Sequence, residues 1–183
     1  MNKSYQWTPE NLSGVAYLMW DDKALYLAVE VIDDVHFART TGEQTLEGDS
    51  VALAIHPANR APGKDDKAFV YYLSSASPGG GSGTTTLYRP PSHCGGLSSG
   101  QLAKDSSAYD LFIKTEGKKT VCQLRMPWSE LGGIAPAFGS KFGLSLLLND
   151  NDGAGKVATM SWGDGLIPSW VPSSFGICTL VEE

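Results

Sequence analysis

The stretch LYLAVEVIDDVH, Leu25–His36, changes character partway along its length. Leu25, Leu27, Val29 and Val31 alternate with Tyr26, Ala28, Glu30 and Ile32. A strand sends successive side chains to opposite faces, so the first set shares one buried side and the second the other. The alternation stops at Asp33 and Asp34, which are followed by apolar Val35 and by His36. Three roles are open to the paired acids. They can close a strand by bonding the local backbone, as Asx residues do. They can contribute oxygens to a hard cation such as calcium, or divide general-acid and general-base work.

VAYLMW at 15–20 reads as a preceding strand, joined to Leu25 by the polar turn Asp21-Asp22-Lys23 in a hairpin. In GDSVALAIHP, Asp49, Val51, Leu53 and Ile55 alternate with Ser50, Ala52, Ala54 and His56 until Pro57 ends the pattern. AFVYYL at 68–73 follows as another strand. YDLFIKT and TVCQLRM, at 109–115 and 120–126, flank EGKK as a second hairpin, and PWSEL can make one helical turn before Gly132 and Gly133. FGLSLLLND at 142–150 pairs with VATMSW at 157–162 across NDNDG, and FGICTL at 175–180 is the last strand.

Between Ser74 and Ser107 the chain turns to Gly, Ser, Thr and Pro, with TTTLYR at 84–89 as an irregular or edge strand. A connection this long is expected to be a lid, a crossing loop or a binding loop. Eight or nine short strands, without a full helical period or βαβ spacing, predict an all-β fold: a two-sheet antiparallel β-sandwich, jelly-roll-like. One domain over 1–183 is expected, with the long connection at 74–107.

Composition agrees with a turn-rich folded chain: 183 residues, 42% hydrophobic, 19% charged, with 21 glycines and 10 prolines. A formal charge of -6 argues against a nucleic-acid or anionic-membrane partner. Cys94, Cys122 and Cys178 offer neither a disulfide framework nor a CxxC metal motif. No apolar run approaches bilayer length, and MNKSYQWTPENLSG has one Lys and no apolar signal region, so localisation is left open.

Two further stretches carry candidate chemistry. NDNDG, Asn149–Gly153, places four oxygen-bearing side chains before a glycine, which suits either a calcium loop or a polar hairpin turn, although it lacks the distal Glu of an EF-hand. Trp162 and Trp170 bracket GDGLIPS. Trp170, on an apparent loop, is read as a stacking platform for a sugar ring or as a structural anchor, and Trp162, Trp20 and Trp128 as core residues. His36, His56 and His93 lack metal-ligand spacing, no nucleophile system is visible, and no catalytic residue is assigned.

LSGVAYLMWDDKALYLAVEVIDDVH, EGDSVALAI, TVCQLRMPWSELGG, FGLSLLLNDNDGAGK and MSWGDGLIPSW followed by FGICTL together resemble, in order and spacing, the family 9 carbohydrate-binding modules and the wider DOMON-like superfamily. The resemblance covers most of the chain from Leu12 to Leu180. It implies a noncatalytic β-sandwich that binds a glycan or oligosaccharide in support of a companion catalytic domain, and it leaves an excised extracellular domain open. It also implies a sugar held between two tryptophans, charged residues beside it, and structural calcium in the loops.

The second aromatic wall matches Trp170, whereas the first falls on Leu46. An expected carboxylate falls on Ala52, an arginine on Val70 and a glutamate on Gln123. The carbohydrate contacts are therefore expected at Trp170 with Tyr88 and Tyr72, and calcium at Asp33, Asp34, Asp150 and Asp152. The alternative is a structural or protein-interaction domain that has kept the fold and lost sugar binding, an outcome that Leu46, Ala52 and Val70 favour.

Overall fold

The structure is a computed structural model that describes residues 7–58, 67–76, 84–101 and 109–182. Eleven strands occur among the described residues: β1 Leu12–Trp20, β2 Ala24–Asp33, β3 Ser50–His56, β4 Phe69–Ala76, β5 Thr84–Arg89, β6 Gly100–Gln101, β7 Asp110–Glu116, β8 Lys119–Pro127, β9 Lys141–Asn151, β10 Lys156–Trp162 and β11 Gly176–Thr179. They form two antiparallel sheets packed as a sandwich. The smaller has the order β1-β2-β8-β7, and the larger β10-β9-β3-β4-β5-β6, with β11 also paired to β9.

The alternation in Leu25–Val31 decides which face of β2 is buried. Leu25, Leu27, Val29 and Val31 enter the core with Cys122, Leu124 and Met126 of β8. From the larger sheet they meet Val51, Leu53 and Ile55, Tyr71 and Leu73, and Leu144, Leu146 and Leu148. Burying each Val or Leu contributes about 1.5–3 kcal/mol, so a one-residue slip that moved the whole set outward would remove most of the driving force for this pairing. Both expected hairpins form, with Trp20 opposite Leu25 and Glu116 opposite Lys119.

The 74–107 connection is shorter than its composition suggests. Ser74, Ser75 and Ala76 extend β4, and TTTLYR lies between β4 and β6 in the larger sheet instead of forming an edge. Cross-strand pairing of Ser74 with Thr86 and Ser75 with Thr85 accounts for strand formation by polar β-compatible residues. Residues 77–83 and 102–107 of that connection lie outside the described residues.

Arg89 anchors this region from inside. Its side chain is fully buried, its guanidinium lies 4.6 Å from the Tyr71 ring centroid, and it donates to the Tyr71 hydroxyl, the Ser98 carbonyl (2.7 Å) and Glu130 Oε2 (2.9 Å). Glu130 belongs to a 3-10 turn at Trp128–Glu130, the short turn that PWSEL predicts. Charge pairing and hydrogen bonds offset the cost of removing the cation from water, and thereby hold β5 against β4 and this turn.

Trp162 corrects an expectation. It is 52% exposed, although it follows Met160 in the alternation of β10. β10 borders an open cleft opposite β1, where Trp162 and Met160 face Gly14, Ala16 and Leu18 across a space of about 420 Å³. The alternation is that of a strand facing the core, but among the described residues no complete layer covers it there. Trp128 is buried as expected and donates to the Asp21 carbonyl at 2.8 Å, while Trp20 is partly buried and donates to that of Val181 at 2.8 Å.

Candidate functional site

Two regions assemble the residues singled out in the sequence. The first is on the outer face of the larger sheet. Cross-strand register aligns Leu147, Ala52, Tyr72 and Tyr88 in one row, and Ser145, Ala54 and Val70 in the next. The small alanines keep the sheet low at its centre. A loop between β10 and β11, containing the cis Ile167–Pro168 bond, folds back over this face and carries Trp170.

The resulting cleft measures about 240 Å³ and is lined by Leu46, Ala52, Val70, Tyr72, His93, Leu147, Leu166, Ile167, Pro168 and Trp170. Trp170 is half-buried, with its ring 4.1 Å from His93 and in edge-to-face contact with Phe175 at 5.5 Å. It is thus anchored on two sides while it lines the cleft. Tyr72 stacks on Tyr88 at 6.2 Å, so Tyr72 borders the space directly and Tyr88 supports it from behind.

Leu46, Ala52 and Val70 meet in this same cleft, although they come from a 3-10 turn at Gly42–Glu47 and from two different strands. Their side chains replace an aromatic wall and charged contacts with apolar surface. Gln123 lies elsewhere, on the smaller sheet. Polar chemistry in the cleft comes from Tyr72 and His93. Burial raises the Tyr72 phenol above its ordinary value, and the Glu43 charge raises it further, so it remains a donor. Burial lowers His93, favouring a neutral ring, and its Nδ1 is 2.9 Å from Ser92 Oγ. His93 has no sequence motif. Its role becomes visible only where the chain after β5 passes beneath Trp170.

The second region is the acidic rim between the sheets. Asp33 ends β2, while Asp150 and Asn151 end β9, beside Asp152. Ligand oxygens of Asp33, Asp34 and Asp152 lie within 4.8 Å of one another, as do ligand atoms of Asp33, His36 and Asp49. Asp150 is buried and its charge acts on Asp33, but it belongs to neither close group. Asp33 Oδ1 also accepts from the Val35 backbone at 3.1 Å, so the strand-closing role and the clustering coexist.

Asp49 organises this rim and was not singled out by the motifs. Its carboxylate accepts from the backbone N–H groups of Phe37 and Asn151, the latter at 2.8 Å, and lies 3.0 Å from His36 Nδ1. The sequence signal was an acid at the mouth of a strand, between Gly48 and Ser50. Burial, followed by the Asp49 charge, pushes the Asp33 carboxyl up to about 7. Burial and the charges of Asp34 and Asp49 raise Asp152, whereas its hydrogen bond to Asp49 raises His36. Asp33 and Asp152, whose ionised forms burial and neighbouring carboxylates hold back, make with Asp34 an all-oxygen group that fits a hard divalent cation, which would favour the ionised forms of those two acids.

The carbohydrate family 9 binding domain-like model matches residues 1–183. The structure is similar to a family 9 carbohydrate-binding module from Caldicellulosiruptor kristjanssonii in complex with cellotriose, with TM-score 0.69 and 22% identity over 99% of this chain and 80% of that one. It is also similar to a family 9 module from that organism in complex with glucose, with TM-score 0.66 and 22% identity over 96% of this chain and 83% of that one. No curated protein matches the chain. With the full-length family match and this sandwich architecture, the chain belongs to the carbohydrate family 9 binding domain-like family.

Proposed function

We propose that this chain is a noncatalytic carbohydrate-recognition module that receives a glycan in the Trp170 cleft. The carrying observation is the anchored Trp170 ring lining a recess floored by Ala52, Val70 and Leu147. An aromatic face offers a pyranose a stacking surface, and prior anchoring reduces the ordering cost on binding. Tyr72 and His93 supply hydrogen bonds, and Tyr88 supports Tyr72. At about 240 Å³ the recess is smaller than the roughly 300–1,000 Å³ typical of ligand pockets, which favours one sugar unit at a time. The cellotriose and glucose complexes of the similar structures make a glucose-containing chain the first ligand to test.

The noncatalytic reading is supported by the separation of the two regions. No carboxylate is among the described residues that line the cleft, while Asp33 and Asp152, the acids raised by burial and neighbouring charge, gather at the rim. There, Asp33, Asp34 and Asp152 would hold a structural calcium, with the charge of Asp150 adding to the negative field at Asp33. Calcium would tie the end of β2 to the β9–β10 turn.

Calorimetric titration with cellotriose and with glucose tests the sugar assignment. Trp170→Ala is expected to weaken binding about tenfold or more, while Trp170→Phe retains part of it. Binding unchanged by Trp170→Ala would reject the cleft. The replacement of the expected charged contacts by Ala52 and Val70 supports a second reading, a protein-interaction domain without sugar affinity. Failure of the folded, calcium-loaded protein to bind a broad glycan array would favour that reading.

A further inference from the structure

The outer face of the smaller sheet provides a different surface. Register places Met19, Tyr26, Arg125 and Asp110 in one row across all four strands, and Tyr17, Ala28, Gln123 and Phe112 in the next. Tyr17 is 55% exposed and Phe112 53%, on the two outermost strands. Three strand spacings separate these strands, about 14 Å. Between them Ala28 leaves a low floor in an open trough of about 470 Å³.

This face is more than uncovered apolar surface. Tyr26 donates to Asp21 Oδ2 at 2.9 Å, which fixes the ring. Arg125 uses Nε to donate to Asp110 Oδ2 at 2.6 Å, leaving its terminal nitrogens as available donors among the described residues. Gln123 adds an exposed amide in the next row. Aromatic rings on both sides of a shallow floor, with fixed and free hydrogen-bonding groups between them, present the chemistry needed by a hydroxyl-rich ring with apolar C–H faces. The Arg125 and Asp110 charges cancel locally, so this trough complements a neutral ligand better than a phosphate chain or an acidic surface.

We infer that the trough crossing Tyr17, Ala28, Gln123 and Phe112 is a second glycan-binding surface, used by the side of an extended neutral polysaccharide chain. It differs from the Trp170 cleft in location and shape and does not require that cleft to bind. The cleft admits one sugar unit, whereas the trough spans several strands and is open along its length. Tyr17 and Phe112 provide stacking surfaces, and Gln123 and Arg125 provide hydrogen bonds to hydroxyls.

Affinity electrophoresis of the full chain through hydroxyethyl cellulose, mixed-linkage β-glucan and soluble xylan tests the inference, with cellotriose titration run in parallel. Retardation by at least one polysaccharide is expected. Phe112→Ala and Gln123→Ala should each weaken it about fivefold or more, leaving cellotriose affinity unchanged. Ala28→Ile should also reduce retardation by filling the floor, while improving strand propensity and preserving the thermal transition. Trp170→Ala should affect cellotriose and spare the trough-dependent retardation. Persistence of retardation without cellotriose binding would reject the cleft while supporting the trough. Absence of retardation with every polysaccharide, or retardation insensitive to Phe112→Ala and Ala28→Ile, would overturn the inference. So would a dimer in solution that Phe112→Ala dissociates, because the face would then serve a second copy of the chain.

Discussion

The two sheets use their outer faces differently. On the larger sheet, Ala52, Val70, Tyr72 and Leu147 lie beneath a folded-back loop and help form a second apolar cluster with Phe175 and Trp170. On the smaller sheet, Tyr17, Met19 and Phe112 remain exposed beside Arg125 and Gln123. Both sets arise from strand alternation, so alternation alone does not decide which outer face is covered. Coverage makes Trp170 both an anchor and a recess wall, whereas lack of coverage leaves an open surface.

The most direct way to break this contrast is to damage the covering loop. Gly165 has φ +81°, and a Cβ there would lie 2.2 Å from the Val171 carbonyl oxygen. Gly165→Ala is therefore expected to destabilise the protein by about 2–4 kcal/mol through backbone strain and a forced shift of the loop. It should also abolish cellotriose binding while leaving the smaller sheet's face intact. Urea unfolding and titration below the transition would check this, and near-normal stability would contradict the steric account.

A substitution inside the covered cleft should act in the opposite direction. Leu46 borders the cleft with Trp170, so Leu46→Trp is expected to add an aromatic wall and improve cellotriose affinity by about tenfold. Polysaccharide retardation through the smaller sheet should remain unchanged. Weaker cellotriose binding, with an intact fold, would show that the added ring fills the recess instead of clasping the ligand.

The acidic rim should give a smaller, pH-dependent response. Asp33 binds protons up to about 7 in the folded chain, compared with its usual value of 3.8. Between those values the folded state holds more protons than the unfolded state, so Asp33's contribution to metal-free stability falls as pH rises. His36 is also raised, and its stabilisation is present below the ordinary 6.5 and is lost as pH rises through its folded value. In chelator, Asp33→Asn should therefore melt above the parent near pH 8, with the difference shrinking toward acid. Calcium should raise the parent's melting temperature at the higher pH and have less effect on Asp33→Asn. Scanning calorimetry across pH checks both signs, and a calcium response that survives in Asp33→Asn would remove Asp33 from the ligand set.

The smallest stability effect is expected on the open face. Phe112→Ala should change unfolding free energy by no more than about 0.5 kcal/mol, because the ring is exposed and uncovered in the folded chain. A loss several times larger, measured by denaturant titration at low protein concentration, would mean that Phe112 is an integral packing residue and not part of a ligand-ready surface.

Leu25–Val31 made the buried face of β2 legible because adjacent strand residues must alternate. The same rule located the hairpins and supported the sandwich class. It also placed Trp162 on a core-facing pattern, yet could not determine that β10 borders an open cleft. TTTLYR carried strand propensity without revealing that β4 and β6 flank it. The distinction is physical: pleating acts along a local segment, whereas coverage depends on how remote strands and loops meet.

The site divides in the same way. Trp170 was recognisable as an aromatic on a Gly/Pro-rich loop, and Asp33 and Asp34 as acids closing a strand. Their partners were not local. His93 reaches Trp170 from the segment after β5, Asp152 joins Asp33 from beyond β9, and Asp49 joins the rim from the entrance to β3. Bond geometry and side-chain chemistry make the alternating faces and the available functional groups properties of the local chain. Which of those groups share a space is set by the packing of the two sheets and their loops, which brings distant residues together and fixes how much water reaches them.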